Sequence, residues 1–135
     1  MEKIAKQVIV IRKDLNMRKG KMVAQGAHAS MAAVLDRMVI LSHKKEIQEK
    51  TLILESGTPM ESWINGLFTK VCVSVDSESE LIEIYEKAKG AGLIASIITD
   101  AGLTEFNGVP TKTCIAIGPN WSEEVNQITG HLKLL

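Results

Sequence analysis

A chain of 135 residues that is 45% hydrophobic and 24% charged can bury a core without staples, which excludes a disordered polymer. Its formal charge of zero carries two cysteines, Cys72 and Cys114, each inside an apolar run; a disulfide framework is excluded and a reducing compartment is expected. No stretch reaches the ~18 apolar residues that span a bilayer, and Met1 to Arg12 lacks a leader's cleavage site, so a cytoplasmic protein with no membrane partner is expected.

The first element is Val8 to Ile11, a β-branched apolar run of the kind found in a strand buried on both faces. A polar loop, Lys13 to Gly20, leads into a helical pattern from about Lys21 to Val39. At 100° per residue, Val23, Ala24, Ala27, Met31, Val34, Leu35 and Met38 fall in one arc roughly 120° wide, the expected core face. Between 40 and 68 the pattern is weakest; Lys44 to Leu54 offers a short helix. Thr58-Pro59-Met60-Glu61 has the form of a capped helix start, with Trp63, Ile64, Leu67 and Phe68 as its apolar face.

Lys70 to Val75 alternates strictly and is the second predicted strand. Ser77 with Glu80 opens a helix that buries Leu81, Ile82, Tyr85 and Ala88 and stops at Gly90 and Gly92. Ile94 to Thr99 and Thr113 to Ile117 are the third and fourth strands, the latter closed by Gly118-Pro119. A last helix covers about Trp121 to Ile128, and the tail from His131 is apolar enough to dock on the body. Helices between strands imply parallel crossovers, whereas the short link before the fourth strand suits an antiparallel return. The expected fold is a single α/β domain over 1–135, with a mixed four-stranded β-sheet and helices on both faces.

Charge is unevenly spread. Residues 1–50 carry 11 Lys or Arg against 5 Asp or Glu, and residues 51–135 carry 5 against 11. Arg12, Lys13, Arg18, Lys19 and Lys21 face only Asp14, a local basic cluster suited to a phosphate-bearing partner or to a solvated loop. On the long helix, Lys21, Gln25 and His28 form a stripe, with Gly26, Ala29, Ala32 and Ala33 around it on what is expected to be the exposed side; small residues there admit another body to the helix backbone. The basic loop meets the positive end of this helix, a fair setting for an anion. Asp100-Ala101-Gly102-Leu103-Thr104 follows the third strand, at the strand end where ligand sites gather in open sheets. No nucleophile elbow, zinc motif, P-loop or dinucleotide fingerprint is present.

These separated motifs together resemble the type-2 peptidyl-tRNA hydrolases of archaea and eukaryotes. The likeness runs from Arg12-Lys13-Asp14-Leu15 and Met17 to Gln25 with His28-Ala29, through Tyr85 to Lys89, Ala91-Gly92-Leu93, Asp100-Ala101-Gly102 and Thr104, to Ala116 to Pro119 and Thr129 to Leu135. The resemblance implies a homodimer that hydrolyses the ester of peptidyl-tRNA without metal or organic cofactor. It carries functional roles to Lys21, Gln25, Asp100, Thr104 and Thr113. Arg12, Arg18, Lys19 and His28 are expected to contact the tRNA substrate.

The chain differs from the family at Leu103-Thr104-Glu105, where the family carries Arg-Thr-Gln. One cation is lost and one anion gained beside a site that takes a polyanion. Two other readings stay open on residues alone: hydrolysis of a smaller aminoacyl or peptidyl conjugate, and a non-catalytic relative that binds RNA or protein.

Overall fold

The computed structural model describes residues 3–44 and 46–135. Met1, Glu2 and Lys45 lie outside the described residues, and with them parts of the N-terminal reading and of the expected Lys44–Leu54 helix.

β1 (Ala5–Arg12) is the central strand, buried along most of its length as its unbroken apolar run requires. It pairs in parallel with β4 (Lys70–Val75) and antiparallel with β6 (Thr111–Trp121). β5 (Ala95–Asp100) returns antiparallel onto β6, as the short link predicted. The expected count of four strands is corrected to five, in the order β5-β6-β1-β4-β7. The fifth is β7 (Lys133–Leu134), which pairs with Val73 and Ser74 of β4. A two-residue strand has no period to read; it forms because β4 would otherwise be an open edge of unpaired amides and carbonyls. β6 also runs past Ile117 through a cis Gly118–Pro119 peptide to Trp121, further than the sequence suggested.

Strand alternation divides the apolar residues between two layers. Val8, Val10, Val73, Val75, Ile115 and Ile117 face α3 (Glu78–Gly90) and α4 (Ser122–Thr129), which contribute Leu81, Ile84, Ala88 and Val125. Ile9, Ile11, Cys114 and Ala116 face α1 (Lys19–Leu35). The predicted caps are in place: the Ser77 and Thr58 hydroxyls accept from Glu80 N at 3.1 Å and Glu61 N at 3.3 Å, opening α3 and α2 (Pro59–Asn65).

Four sequence expectations are overturned. The apolar arc of α1 is not its core face: Val23 is 73% exposed and Met31 54%, while Gln25, Gly26, Ala29, Ser30 and Ala33 lie against the sheet. The body admitted by the small residues is the sheet itself, since a Cβ on Gly26 would sit 3.6 Å from Ile9 Cγ2. Secondly, the expected helix over Lys44–Leu54 is replaced by a hairpin of β2 (Val39–Lys44) and β3 (Ile47–Thr51). Val39, assigned to the end of α1, instead pairs with Thr51, as Ile40 does with Lys50, and β-branched residues at these positions favour that state. Thirdly, α2 stops at Asn65, so Leu67 and Phe68 do not belong to its apolar face; Trp63 alone is sealed, 1% exposed, its indole donating to Thr69 O at 2.8 Å. Lastly, Cys114 is buried but Cys72 is exposed, because α1 covers β1, β6 and β5 and leaves that side of β4 bare.

Candidate functional site

The buried flank of α1 carries polar groups to the carboxyl end of β5. Gln25, 2% exposed, lies over β6, where the fully buried Thr113 hydroxyl donates to its Oε1 at 2.5 Å. That bond fixes which end of the amide is which, and Gln25 Nε2 then donates to Asp100 Oδ1 at 3.3 Å. One turn nearer the helix start, Lys21 Nζ donates to the same oxygen at 2.9 Å and to Thr104 Oγ1 at 3.5 Å. Lys21, Gln25, Asp100, Thr104 and Thr113, drawn from α1, β6, the end of β5 and the loop after it, thus form one connected cluster.

The second oxygen of Asp100 accepts from Gly102 N at 2.8 Å. Gly102 has φ +79, and a Cβ there would collide with the Val109 backbone, so only glycine closes this turn without moving the loop. The hydrogen bond from Lys21 first, then the Gly102 amide, the Lys21 charge and the Gln25 amide, hold the Asp100 carboxyl below the usual carboxylate range, against a smaller opposing effect of burial. Asp100 is therefore an ionised, acceptor-only group at neutral pH. Lys21 and Asp100 are 17% and 15% exposed, close enough to solvent for a substrate to reach. Lys21 spends two of its three N–H groups on Asp100 and Thr104, which leaves one to aim at an incoming ligand.

The remaining predicted residues divide. Arg18 and Lys19 are exposed at the start of α1, where Arg18, the cap residue, makes no side-chain cap bond and the first turn holds no acid. The first amides of the helix are thus free to meet an anion. Arg12 is withdrawn from this group. Its guanidinium is 11% exposed, holds Asp14 at 2.7 and 3.1 Å, and donates to Lys112 O at 3.0 Å. The same fork keeps the Asp14 carboxyl below its ordinary range. His28 is exposed further along α1 and makes no hydrogen bond within the cluster.

Two neighbours escaped the sequence reading. The Phe106 ring lies 5.9 Å from Lys21 Nζ and packs on the α1-side core, a contact made possible by left-handed backbone at Phe106 and Asn107. The second is the pairing of Arg12 with Asp14: both stand in the basic cluster of the sequence, but with Asp14 beyond the end of β1 their i, i+2 spacing does not by itself pair them. Among the described residues no group of three or more His, Cys, Asp or Glu is placed to hold a metal, and no helix is long and apolar enough to cross a membrane.

Comparison with known proteins gives a consistent result. The family described as peptidyl-tRNA hydrolase PTH2 matches residues 5–135. A protein named peptidyl-tRNA hydrolase from Methanocaldococcus jannaschii is 45% identical over 96% of this chain and 99% of its own length. Proteins of the same name from Methanopyrus kandleri and Sulfolobus acidocaldarius are 41% and 42% identical, each over 96% of this chain and over 97% and 99% of their own. Among solved structures, a protein of unknown function from Agrobacterium tumefaciens superposes with a TM-score of 0.55 over 97% of both chains at 11% identity, a likeness of fold.

Proposed function

The chain belongs to the peptidyl-tRNA hydrolase PTH2 family, and from that premise we propose that it hydrolyses the ester between a peptide and the terminal ribose of tRNA, residues 5–135 acting as one hydrolase domain. The observation that carries the site assignment is the convergence of Lys21 and Gln25, themselves bonded to Thr104 and Thr113, on one ionised carboxylate, Asp100, beside the exposed basic end of α1.

An ester is activated already, so a placed water and a stabilised oxyanion supply most of what hydrolysis requires. Asp100 and the Thr104 hydroxyl orient the water. With its pKa held down, Asp100 is a weak base and acts mainly as an acceptor that aims the water's lone pair. The remaining Lys21 N–H faces the carbonyl oxygen as negative charge develops there. Water oxygen bonds to the carbonyl carbon, the bond to the ribose oxygen breaks, and the water's proton ends on that leaving oxygen. Gln25 and Thr113 are positioning residues: they hold Asp100 from below. Arg18, Lys19 and the free amides of α1 take phosphates of the acceptor end, so binding weakens as salt rises.

The same reading includes a homodimer in the cytoplasm. The dimer is supported by the apolar flank that α1 turns outward, where Val23, Met31 and Leu35 are 73%, 54% and 46% exposed. That flank borders a groove of about 650 Å³ lined by Ile9, Ile11, Met22, Phe68 and Cys72, an apolar surface of the type that oligomers cover.

The test is release of the N-acetylated amino acid from N-acetyl-aminoacyl-tRNA in metal-free buffer, wild type beside Asp100→Ala. Release by wild type that the variant loses supports the reading. A folded wild type that binds tRNA but leaves the ester intact sinks it, and cleavage of the free ester as fast as the tRNA ester moves the substrate to a smaller conjugate.

A further inference from the structure

A second ion pair crosses the mouth of the same site, and it is built differently from the first. Arg18, the residue before α1, faces Glu105, which follows Thr104 in the loop after β5; Arg18 Nε and Glu105 Oε1 are 3.9 Å apart. The Arg18 side chain is 91% exposed and that of Glu105 24%. Lys21–Asp100 is reinforced by a glutamine and a backbone amide, whereas Arg18–Glu105 is one long contact in solvent. A pair of that kind adds little to stability. Its position is what needs explaining.

Of the carboxylates around the basic end of α1, Asp14 is held by Arg12 and Asp100 by Lys21. Among the described residues, Glu105 is the carboxylate in the loop after β5 that meets Arg18, an exposed cation at the start of α1. It is also held in place. Phe106 and Asn107 adopt left-handed backbone, Gly108 N donates to Gly102 O at 2.8 Å and Val109 N to Phe106 O at 2.9 Å, while the Phe106 ring is anchored in the core. The backbone that carries Glu105 is therefore fixed, and its carboxylate starts from a set place beside Arg18.

We propose that Glu105 is a specificity-determining residue: it occupies Arg18 in the free protein and sets how much anionic charge an RNA must bring to be held. This rests on the hydrolase reading given above. Arg18 leaves Glu105 only for a ligand whose phosphates outweigh one nearby carboxylate, so a tRNA acceptor end succeeds where an ester with little or no phosphate gains nothing from Arg18. Glu105 touches no reacting atom, and its effect falls on binding.

The experiment compares wild type, Glu105→Gln, Arg18→Ala and the double variant, all shown folded by thermal unfolding. Steady-state hydrolysis of N-acetyl-aminoacyl-tRNA gives kcat and KM, and binding of deacylated tRNA is titrated across salt. Glu105→Gln is expected to lower KM and the tRNA Kd roughly three- to tenfold at low salt, from the Coulomb energy of one removed neighbour. The logarithmic salt slope should steepen by up to about 0.7–0.9, because no carboxylate is left to take up a cation when Arg18 moves to a phosphate, without a matching change in kcat. In the Arg18→Ala background the gain should vanish. A gain that persists there, an effect on kcat instead of KM, or no change in Kd and slope would overturn the proposal. If wild type binds tRNA without cleaving it, the hydrolase reading fails while the binding arm still decides the role of Glu105.

Discussion

α3 and α1 cover opposite faces of one sheet but bury different kinds of side chain. α3 sets Leu81, Ile84 and Ala88 against Val8, Val10, Ile115 and Ile117, an aliphatic layer in which the helix presents its most apolar side inward. α1 does the reverse. It turns Gln25, Gly26, Ala29, Ser30 and Ala33 to the sheet and shows Val23, Met31 and Leu35 to solvent. Two amide–hydroxyl pairs cross that interface, Thr113 to Gln25 and Ser30 to Gln7, each at 2.5 Å. Among the described residues every buried side-chain nitrogen or oxygen finds a partner. Such pairs fix the rotation of α1 to one answer, where aliphatic contacts would tolerate several. One face is thus built for stability, and the other holds Lys21 and Gln25 at a set angle to Asp100.

The contrast is most sharply tested by separating activity from stability. On the α1 face, Lys21→Ala and Asp100→Ala should each lower kcat/KM by roughly 10²–10³-fold, the usual cost of losing one preorganised charge or donor, in protein that still melts cooperatively. Leu81→Ala, on the α3 face, should cost about 2–5 kcal/mol of unfolding free energy in a urea titration and leave kcat of the folded fraction unaltered. A variant that breaks the division is Ala29→Leu. Ala29 is fully buried on the side of α1 that faces the sheet, so overpacking should cost about 1–3 kcal/mol and also reduce turnover by lifting Lys21 and Gln25 from Asp100. Unaltered kcat in that variant would show that the site does not depend on how closely α1 lies on the sheet.

Smaller effects follow on the outer flank and in acid. Val23→Asp with Met31→Asp should change protomer stability by less than about 0.5 kcal/mol, yet shift sedimentation from dimer to monomer; a strongly destabilised protomer would mean that this flank is core after all. The smallest signal concerns pH. Because Asp100 is held below its ordinary pKa, its pairing contributes stability that is complete above the ordinary carboxylate value of about 3.9 and is lost as pH falls through the lowered one. Melting temperature followed from pH 7 to pH 2 should therefore fall more steeply in acid for wild type than for Asp100→Asn, the two curves converging at the acid end. Parallel curves would show that Lys21 does not hold Asp100 ionised.

The chain itself determined β1, β4, β5 and the Thr113–Ile117 part of β6, the Thr58 and Ser77 caps, the antiparallel return onto β6, and the residue types at the site. All of these depend on interactions between near neighbours: a β-branched run, an alternating strand, an i, i+3 capping pair. Only the tertiary structure decided which flank of α1 faces in, that residues 39–51 pair as a hairpin, that the tail closes the edge of β4, and that Arg12 belongs to Asp14 while Arg18 meets Glu105. The physical reason is common to these cases. An amphipathic arc shows which side chains leave water but not what they meet. On α1 the large apolar residues Val23, Met31 and Leu35 were kept for the outside, while the sheet took the small and hydrogen-bonding ones, whose partners Thr113, Gln7 and Asp100 lie in distant parts of the chain.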